Sequence, residues 1–350
     1  MKQKRVWLGV LLSLILLGYI FYQTDPGKIW SSLQQAQYIF LIPALALYFF
    51  GVGIRAARWH FLLRDLKPIP IRSLFRTVVI GYAANDLLPA RMGEIVRAFL
   101  LGREERISKT STFVTILIER LFDGLTMLTF IVAASFLLHF TDEELAMRVR
   151  LVSSLFIAAI LVLAVFAGMP QRVVRIADFF VQHLPEKFQA RARKLTHSFL
   201  DGLGVLRNPR DSFIVFTLSI FAWLCETGMY AVLALGFGMS LRFAIYLLAA
   251  AFANLVTIAP STPGYVGVFD APIVYVLTTI GGVEPNIATS YTLVLHAALI
   301  LPVTLLGLYY AGRTGLSLNQ MTHFDSTPDP TSEDKLGKSN MTAPLQDSTR

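Results

Sequence analysis

The chain has a single cysteine, Cys225, among 350 residues, and so forms no disulfide within itself. Cys225 lies inside an apolar run, where a lone thiol packs as a small hydrophobic residue. Charge is scarce as well. Asp, Glu, Lys and Arg make up 15% of the residues and hydrophobic types 55%, whereas a soluble domain carries about 25% charged residues. Signatures of soluble catalysis are missing too. No Walker A sequence occurs, so no P-loop ATPase is expected. GVGIRA at 51–56 has dinucleotide-fingerprint spacing, but no strand–turn–helix unit surrounds it. There is no nucleophile elbow. The histidines (His60, His139, His183, His197, His296 and His323) lack metal-ligand spacing. No metal or cofactor is therefore expected. Strand-period alternation is absent, which argues against an outer-membrane barrel.

What the chain does have is apolar runs of about 17 to 25 residues, the length of a membrane-spanning helix. The clear spans are about 6–22, 36–54, 110–139, 151–169, 211–238 and 286–311. MKQKR followed by VWLGVLLSLILLGYIFY has the charge pattern of a signal peptide. Its apolar run is too long and no small-x-small cleavage site follows, so it reads as a first helix. Two further segments, about 73–102 and 242–281, are apolar but broken by Pro, Gly and polar residues. The expected fold is an all-α polytopic membrane protein with about six full spans and two broken, re-entrant hairpins.

The net charge of +8 fits Lys and Arg gathered in cytoplasmic loops rather than nucleic-acid binding. MKQKR, RAARWHFLLRDLKPIPIRSLFR, GREERISK and the 170–210 region are basic, while 141–150 opens TDEE. Basic loops inside put both termini in the cytoplasm. The first broken segment then has basic flanks on both sides, Arg72 and Arg76 before it and Arg103, Arg106 and Lys109 after. Entry and exit on one face satisfy both. The second broken segment starts and ends on the outer face by the same count. Two similar units in opposite orientation result, about 36–139 and 211–311, an inverted repeat of the transporter kind. Interfacial cytoplasmic helices are expected over about 170–207, where Phe179, Phe180, Phe188 and Phe199 alternate with basic residues. The polar tail over 313–350 reads as disordered.

Within the first broken segment, IGYAANDLLPARMGEIVRAFLLG, stand Asn85, Pro89, Arg91, Gly93, Glu94 and Arg97. Pro89 and Gly93 supply the break. The helix restarting near Met92 exposes free N–H groups, and Arg91 and Arg97 add charge, so an anionic group such as a lipid phosphate is the expected guest. Glu94 lies three residues from each arginine and can pair with either. The span at 110–139 holds Glu119, Arg120 and Asp123, with Glu119 and Asp123 on one face. They are candidates for headgroup contact or for salt bridges to Arg91 and Arg97. Glu226 stands alone in its span and must pair, protonate or face water. The second segment, NLVTIAPSTPGYVGVFDAP, mirrors the first with Asn254, Pro263, Gly264, Gly267 and Asp270, its break reinforced by Pro260.

Three patterns in order, N-x3-P-x-R-x-G-E-x2-R at 85–97, E-R-x2-D at 119–123 and P-S-x-P-G-x2-G at 260–267, resemble those of the lysylphosphatidylglycerol synthase transmembrane family, the flippase-like domain. The resemblance covers about residues 5–312. It implies paired re-entrant hairpins and the movement of lipids or lipid-linked sugars across a membrane; the family's best-known members add a soluble aminoacyl-transferase domain, and lysine transfer is not expected of this chain. Asp270 stands where the family pattern has Glu.

The expected function is a transporter in the cytoplasmic membrane, a flippase or scramblase for an anionic phospholipid or a polyprenyl-phosphate-linked sugar. The hairpin tips would form the groove for the headgroup. One alternative is an intramembrane lipid-sugar transferase using Glu119, Asp123 or Glu226 as base. Another is a non-catalytic partner of a separate lipid or glycan synthase, docked through 170–210.

Overall fold

The computed structural model describes residues 2–88, 92–138, 208–257 and 262–314, together with 147, 151 and 154. The expected span at 151–169, the interfacial helices at 170–207, the tail beyond 314, Arg91 and Pro260 lie outside the described residues. The described residues are helical, with no strand among them. Helix α1 runs Lys2–Tyr22, α2 Pro26–Gln35, α3 Leu41–Leu63, α4 Ile71–Leu87, α5 Met92–Glu105 and α6 Lys109–Leu137. Then α7 runs Pro209–Leu235, α8 Phe243–Val256, α9 Asp270–Tyr275 and α10 Pro285–Arg313.

Among the described residues, four helical stretches are long and apolar enough to cross a membrane: Tyr38–Leu63, Arg210–Leu235, Pro263–Ile280 and Pro285–Arg313. Three of them match the spans expected at 36–54, 211–238 and 286–311. The span at 6–22 corresponds to α1. That at 110–139 corresponds to α6, 29 residues long and interrupted by Glu119, Arg120 and Asp123. Large apolar side chains such as Ile42, Phe50, Phe136, Phe213, Leu301 and Leu305 point outward. Such a surface is stable against lipid tails and not against water. The protein is a multi-pass membrane protein.

Two local features depart from the sequence reading. Gln23 to Gln35 folds as a turn and a short helix, α2, started by Pro26 and by Asp25, whose carboxylate accepts from the Gly27 N–H at 2.8 Å. The charge-rich stretch after residue 54 is not a loop at its start. Helix α3 continues nine residues further, to Leu63, carrying Arg55 and Arg58 into the interior. The helical period does not break there: Tyr48, Val52, Arg55, Trp59 and Leu62 recur at spacings of three and four and are all buried.

Both broken segments are broken in the structure. In the first, α4 has 17 residues and α5 has 14, or about 26 and 21 Å at 1.5 Å per residue, less than the roughly 30 Å of a hydrocarbon core. The arms return to the same end. Lys67, before α4, donates to the Glu105 carboxylate at the end of α5 at 2.8 Å, and Arg76 pairs with Glu104. Glycines let the arms touch. A methyl group on Gly93 would lie 2.0 Å from the Gly81 carbonyl oxygen, and one on Gly81 would meet the Arg97 stem at 2.4 Å. In the second segment, α8 ends at Val256 and a 3-10 turn at Pro263–Tyr265 leads into α9, which opens into a π turn over Val276–Ile280. Gly264, Tyr265 and Gly267 all have positive φ (68°, 57° and 80°). Two glycines accept this without strain, whereas Tyr265 is held there at a cost of about 1–2 kcal/mol.

The helices pack in a matched pattern. Helix α3 lies along α7, α6 along α8, and α10 along α4. The alanines of α8 (Ala249, Ala250, Ala251 and Ala253) are all buried, a small-residue surface that lets membrane helices approach closely. Gly307 does the same on α10, where a methyl group would sit 2.7 Å from the Val79 carbonyl oxygen of α4. Helix α1 rests on the second turn: Ser13 and Thr262 hydroxyls are 3.2 Å apart.

Candidate functional site

Charged side chains inside a bilayer are costly unless they pair, and here they pair into one cluster. Helix α6 presents Glu119, Arg120 and Asp123. Arg97 of α5 grips Glu119 with two hydrogen bonds, Nη1 to Oε1 at 2.9 Å and Nη2 to Oε2 at 3.0 Å, the two-pronged geometry that guanidinium and carboxylate share. Arg120 reaches Glu119 at 2.5 Å and Asp123 at 3.2 Å. Arg58 of α3 donates to Asp123 at 2.6 Å and lies 3.4 Å from Glu119. Helix α7 contributes residues spaced four and three apart on one face. Ser219 accepts from Arg58 at 2.7 Å, the Trp223 indole N–H donates to Asp123 at 2.8 Å, and Glu226 accepts from Arg55 at 2.7 Å. The arginine planes also lie over aromatic rings, Arg55 over Trp223 at 4.5 Å and Arg97 over Trp59 at 4.1 Å. Removing one partner from a buried pair costs about 3–5 kcal/mol, so this cluster binds α3, α5, α6 and α7 together.

Beside the cluster, between the two hairpins, is a cavity of about 160 Å³. Tyr48 and Arg55 of α3, Tyr82, Asn85 and Asp86 of α4, Glu94 of α5 and Arg120 of α6 line one part. Trp223 and Glu226 of α7, Asn254 of α8, Tyr265 and Phe269 of the second turn and His296 of α10 line the rest. Both hairpin tips are fastened internally. The Asn85 side-chain oxygen accepts from the Gly93 N–H at 2.7 Å, closing the first break. In the second, the Asp270 carboxylate accepts from the Gly267 N–H at 2.7 Å and lies 2.7 Å from His296 Nδ1. His296 Nε2 donates to the Gly264 carbonyl at 2.8 Å. Because that carbonyl only accepts, Nε2 carries a proton. Thr304 of α10 donates to Asp86 at 2.7 Å.

Of the residues singled out in the sequence, Asn85, Glu94, Arg120, Glu226 and Asn254 line the cavity. Gly264 and Asp270 reach it through His296. Gly93 and Gly267 supply the pinned N–H groups, and Pro263 sits exposed at the start of the 3-10 turn. Arg97, Glu119 and Asp123 do not line the cavity but form the ion cluster behind it. Arg97 is directed at Glu119, not at Glu94 or a free anion site, because it emerges from the α5 face that packs on α6. Glu226 is not alone: Arg55, 171 residues earlier, meets it. Sequence reasoning gave no site role to Arg55, Arg58 or His296, and noted Asp86 only as one polar residue of the first broken segment. The unbroken helical period through 48–62 was the available signal for the two arginines. Nothing near His296 in the sequence announces Asp270. Among the described residues, no three His, Cys, Asp or Glu side chains are grouped to hold a metal ion.

The model of the lysylphosphatidylglycerol synthase TM region matches residues 6–307. The chain belongs to this family. Among relatives of the family region, a UPF0104 membrane protein of Methanothermobacter thermautotrophicus is 24% identical over 311 residues, covering 84% of this chain and 90% of that protein. A second UPF0104 membrane protein of the same organism is 24% identical over 322 residues, covering 89% and 93%. The glycosyltransferase AglD of Haloferax volcanii is 23% identical over 321 residues; the match takes in 83% of this chain but only 51% of AglD. No solved structure matches.

Proposed function

We propose that this family member is a lipid transporter, which passes the headgroup of an anionic phospholipid or a polyprenyl-phosphate-linked sugar between leaflets while the tails stay in lipid. The observation that carries the reading is the polar cavity at the meeting point of two broken helices inside an apolar helix bundle. Broken helices at membrane depth are tolerated where they line a wet cavity, and transporters put their sites there. The packing supports an inverted repeat of units 36–139 and 211–311. Exchanging α3, α4, α5 and α6 for α7, α8, α9 and α10 turns the α6–α8 contact into α10–α4 and leaves α3–α7 in place. Positive-inside loops favour a cytoplasmic-membrane orientation with both termini in the cytoplasm. The name borne by AglD favours a lipid-linked sugar. A role without catalysis is favoured because Glu119 and Asp123, the paired carboxylates a transferase would use, are held by three arginines.

The test is purified protein in liposomes with lipids of known headgroup, read by leaflet accessibility and by mass. A transporter moves the lipid between leaflets and leaves its mass unchanged. A changed mass supports the transferase. Exchange no faster than in protein-free liposomes, together with binding to a synthase, supports the partner reading.

A further inference from the structure

An anion site needs uncommitted cations or helix N-terminal N–H groups, and the described part of the cavity offers few of either. The two N–H groups at the breaks, of Gly93 and Gly267, already donate to Asn85 and Asp270. Arg120 is engaged by Glu119 and Asp123, and Arg55 by Glu226. Among the described lining residues, two arginines stand against three carboxylates, Asp86, Glu94 and Glu226. A bare phosphate inside would meet more negative than positive charge in a low-dielectric site.

What the lining does offer is an acceptor and a donor together. Glu94 and Arg55 both line the cavity, and Glu94 Oε2 and Arg55 Nη1 are left without a hydrogen-bond partner. Around them stand the amides of Asn85 and Asn254 and the rings of Tyr48, Tyr82 and Trp223. A hydroxyl group is both donor and acceptor, so a ring of adjacent hydroxyls satisfies a carboxylate and a guanidinium at once, and its apolar face suits aromatic walls.

We infer that this cavity recognises a neutral, hydroxyl-rich pyranose on the lipid, and that the lipid's phosphate, where it has one, stays outside the described lining. The inference rests on the transporter reading for its site and narrows that reading's substrate class. A pyranose can come from a prenyl-phosphate-linked sugar or from a glycosyl diacylglycerol, and the two share the chemistry the cavity reads.

The experiment measures binding to the full chain in nanodiscs with four short-chain probes: prenyl phosphate carrying a hexose, the same prenyl phosphate without it, a hexosyl diacylglycerol and phosphatidylglycerol. Both hexose probes bind at least about tenfold tighter than their partners without a sugar, the gain expected from one hydrogen bond to a charged group. Glu94→Gln removes a negative charge without changing shape. It weakens both hexose probes and tightens bare prenyl phosphate, an opposite-signed response that misfolding cannot produce. If bare prenyl phosphate or phosphatidylglycerol binds as tightly as its hexose counterpart, the inference is overturned. Equal losses for all four probes in Glu94→Gln overturn it as well. Liposome assays separate this from the transporter reading. Hexose-selective binding without leaflet exchange removes transport and keeps the pyranose site, whereas exchange that ignores the sugar keeps transport and removes the pyranose.

Discussion

The two hairpins solve one problem with different chemistry. Each breaks a helix inside the bundle, and each ties the amide of a glycine near the break to a nearby side-chain oxygen, Asn85 in the first and Asp270 in the second. The first hairpin is then locked from outside by charge: Arg97 reaches a cluster built from α3, α6 and α7. The second has no basic residue between Phe243 and Ile280 and is held by the Asp270–His296 contact and left-handed backbone. One half is rigid because separating full charges in a dry interior is expensive. The other is held by hydrogen bonds, each worth about 0.5–1.5 kcal/mol net. The softer hairpin is therefore the half expected to move.

The strongest way to break this contrast is to remove the shared anion. Glu119→Ala leaves Arg97 and Arg120 without their main partner and costs about 3–5 kcal/mol or more, so little folded protein survives extraction in detergent. Asp270→Ala costs about 1–3 kcal/mol, because it takes the acceptor from the Gly267 N–H and His296, whereas Glu119 is shared by three arginines. Thermal unfolding of both purified variants checks the order, and equal losses would erase the difference between the hairpins.

Next comes backbone approach. Gly93→Ala forces apart the two arms of the first hairpin, since its methyl group would sit 2.0 Å from the Gly81 oxygen; about 2–3 kcal/mol is expected, as for severe overpacking. Gly264→Ala meets only the end of Ile300 at 3.3 Å and costs the roughly 1–2 kcal/mol of a left-handed alanine. Measured melting temperatures should therefore fall further for Gly93→Ala.

A double-mutant cycle sharpens the comparison. Asp270→Asn and His296→Gln should show a coupling of about 1 kcal/mol, within the range for contacting residues. Asp270→Asn combined with Arg76→Gln should be additive, because nothing joins those positions. Additivity in the first cycle would remove the latch.

The mildest test perturbs nothing. Cysteines at Arg72 and Arg103 should label from one side of the membrane, and a cysteine at Gly282 from the other. Labelling of Arg72 and Arg103 from opposite faces would end the re-entrant reading of α4 and α5.

Sequence alone made the long apolar helices and both breaks legible, though not α2 or the end of α3, because Pro and Gly inside apolar runs act locally. Five of the cavity's polar residues, Asn85, Glu94, Arg120, Glu226 and Asn254, were legible for a similar reason: each is an anomaly in its own apolar surroundings. The pairings were not. Arg55 and Glu226 are 171 residues apart, Arg58 and Asp123 65, and Asp270 and His296 26, and no periodicity carries that information. Arg55 and Arg58 were taken for loop residues because charge near a span end signals a cytoplasmic flank on average. Acceptors on other helices overrule that average. For Arg97 the sequence left two readings open, an anion site and a salt bridge to the acids of α6, and the structure pairs it with Glu119.

Arg55 and Arg58 also set the order in which the protein can be built. An arginine at the centre of a membrane helix opposes insertion by about 2.5–3.5 kcal/mol, and α3 carries two in its C-terminal half. Asp123 follows Arg58 by 65 residues and Glu226 follows Arg55 by 171. At about 5–20 residues per second of synthesis, Arg55 waits about 10–35 s for its acceptor. During that interval α3 keeps its charged end at the water or headgroup level, and it reaches its final depth only when α7 arrives. Insertion is thus completed by pairs of helices rather than one helix at a time. A chain truncated before α7 should leave α3 shallow and open to proteolysis.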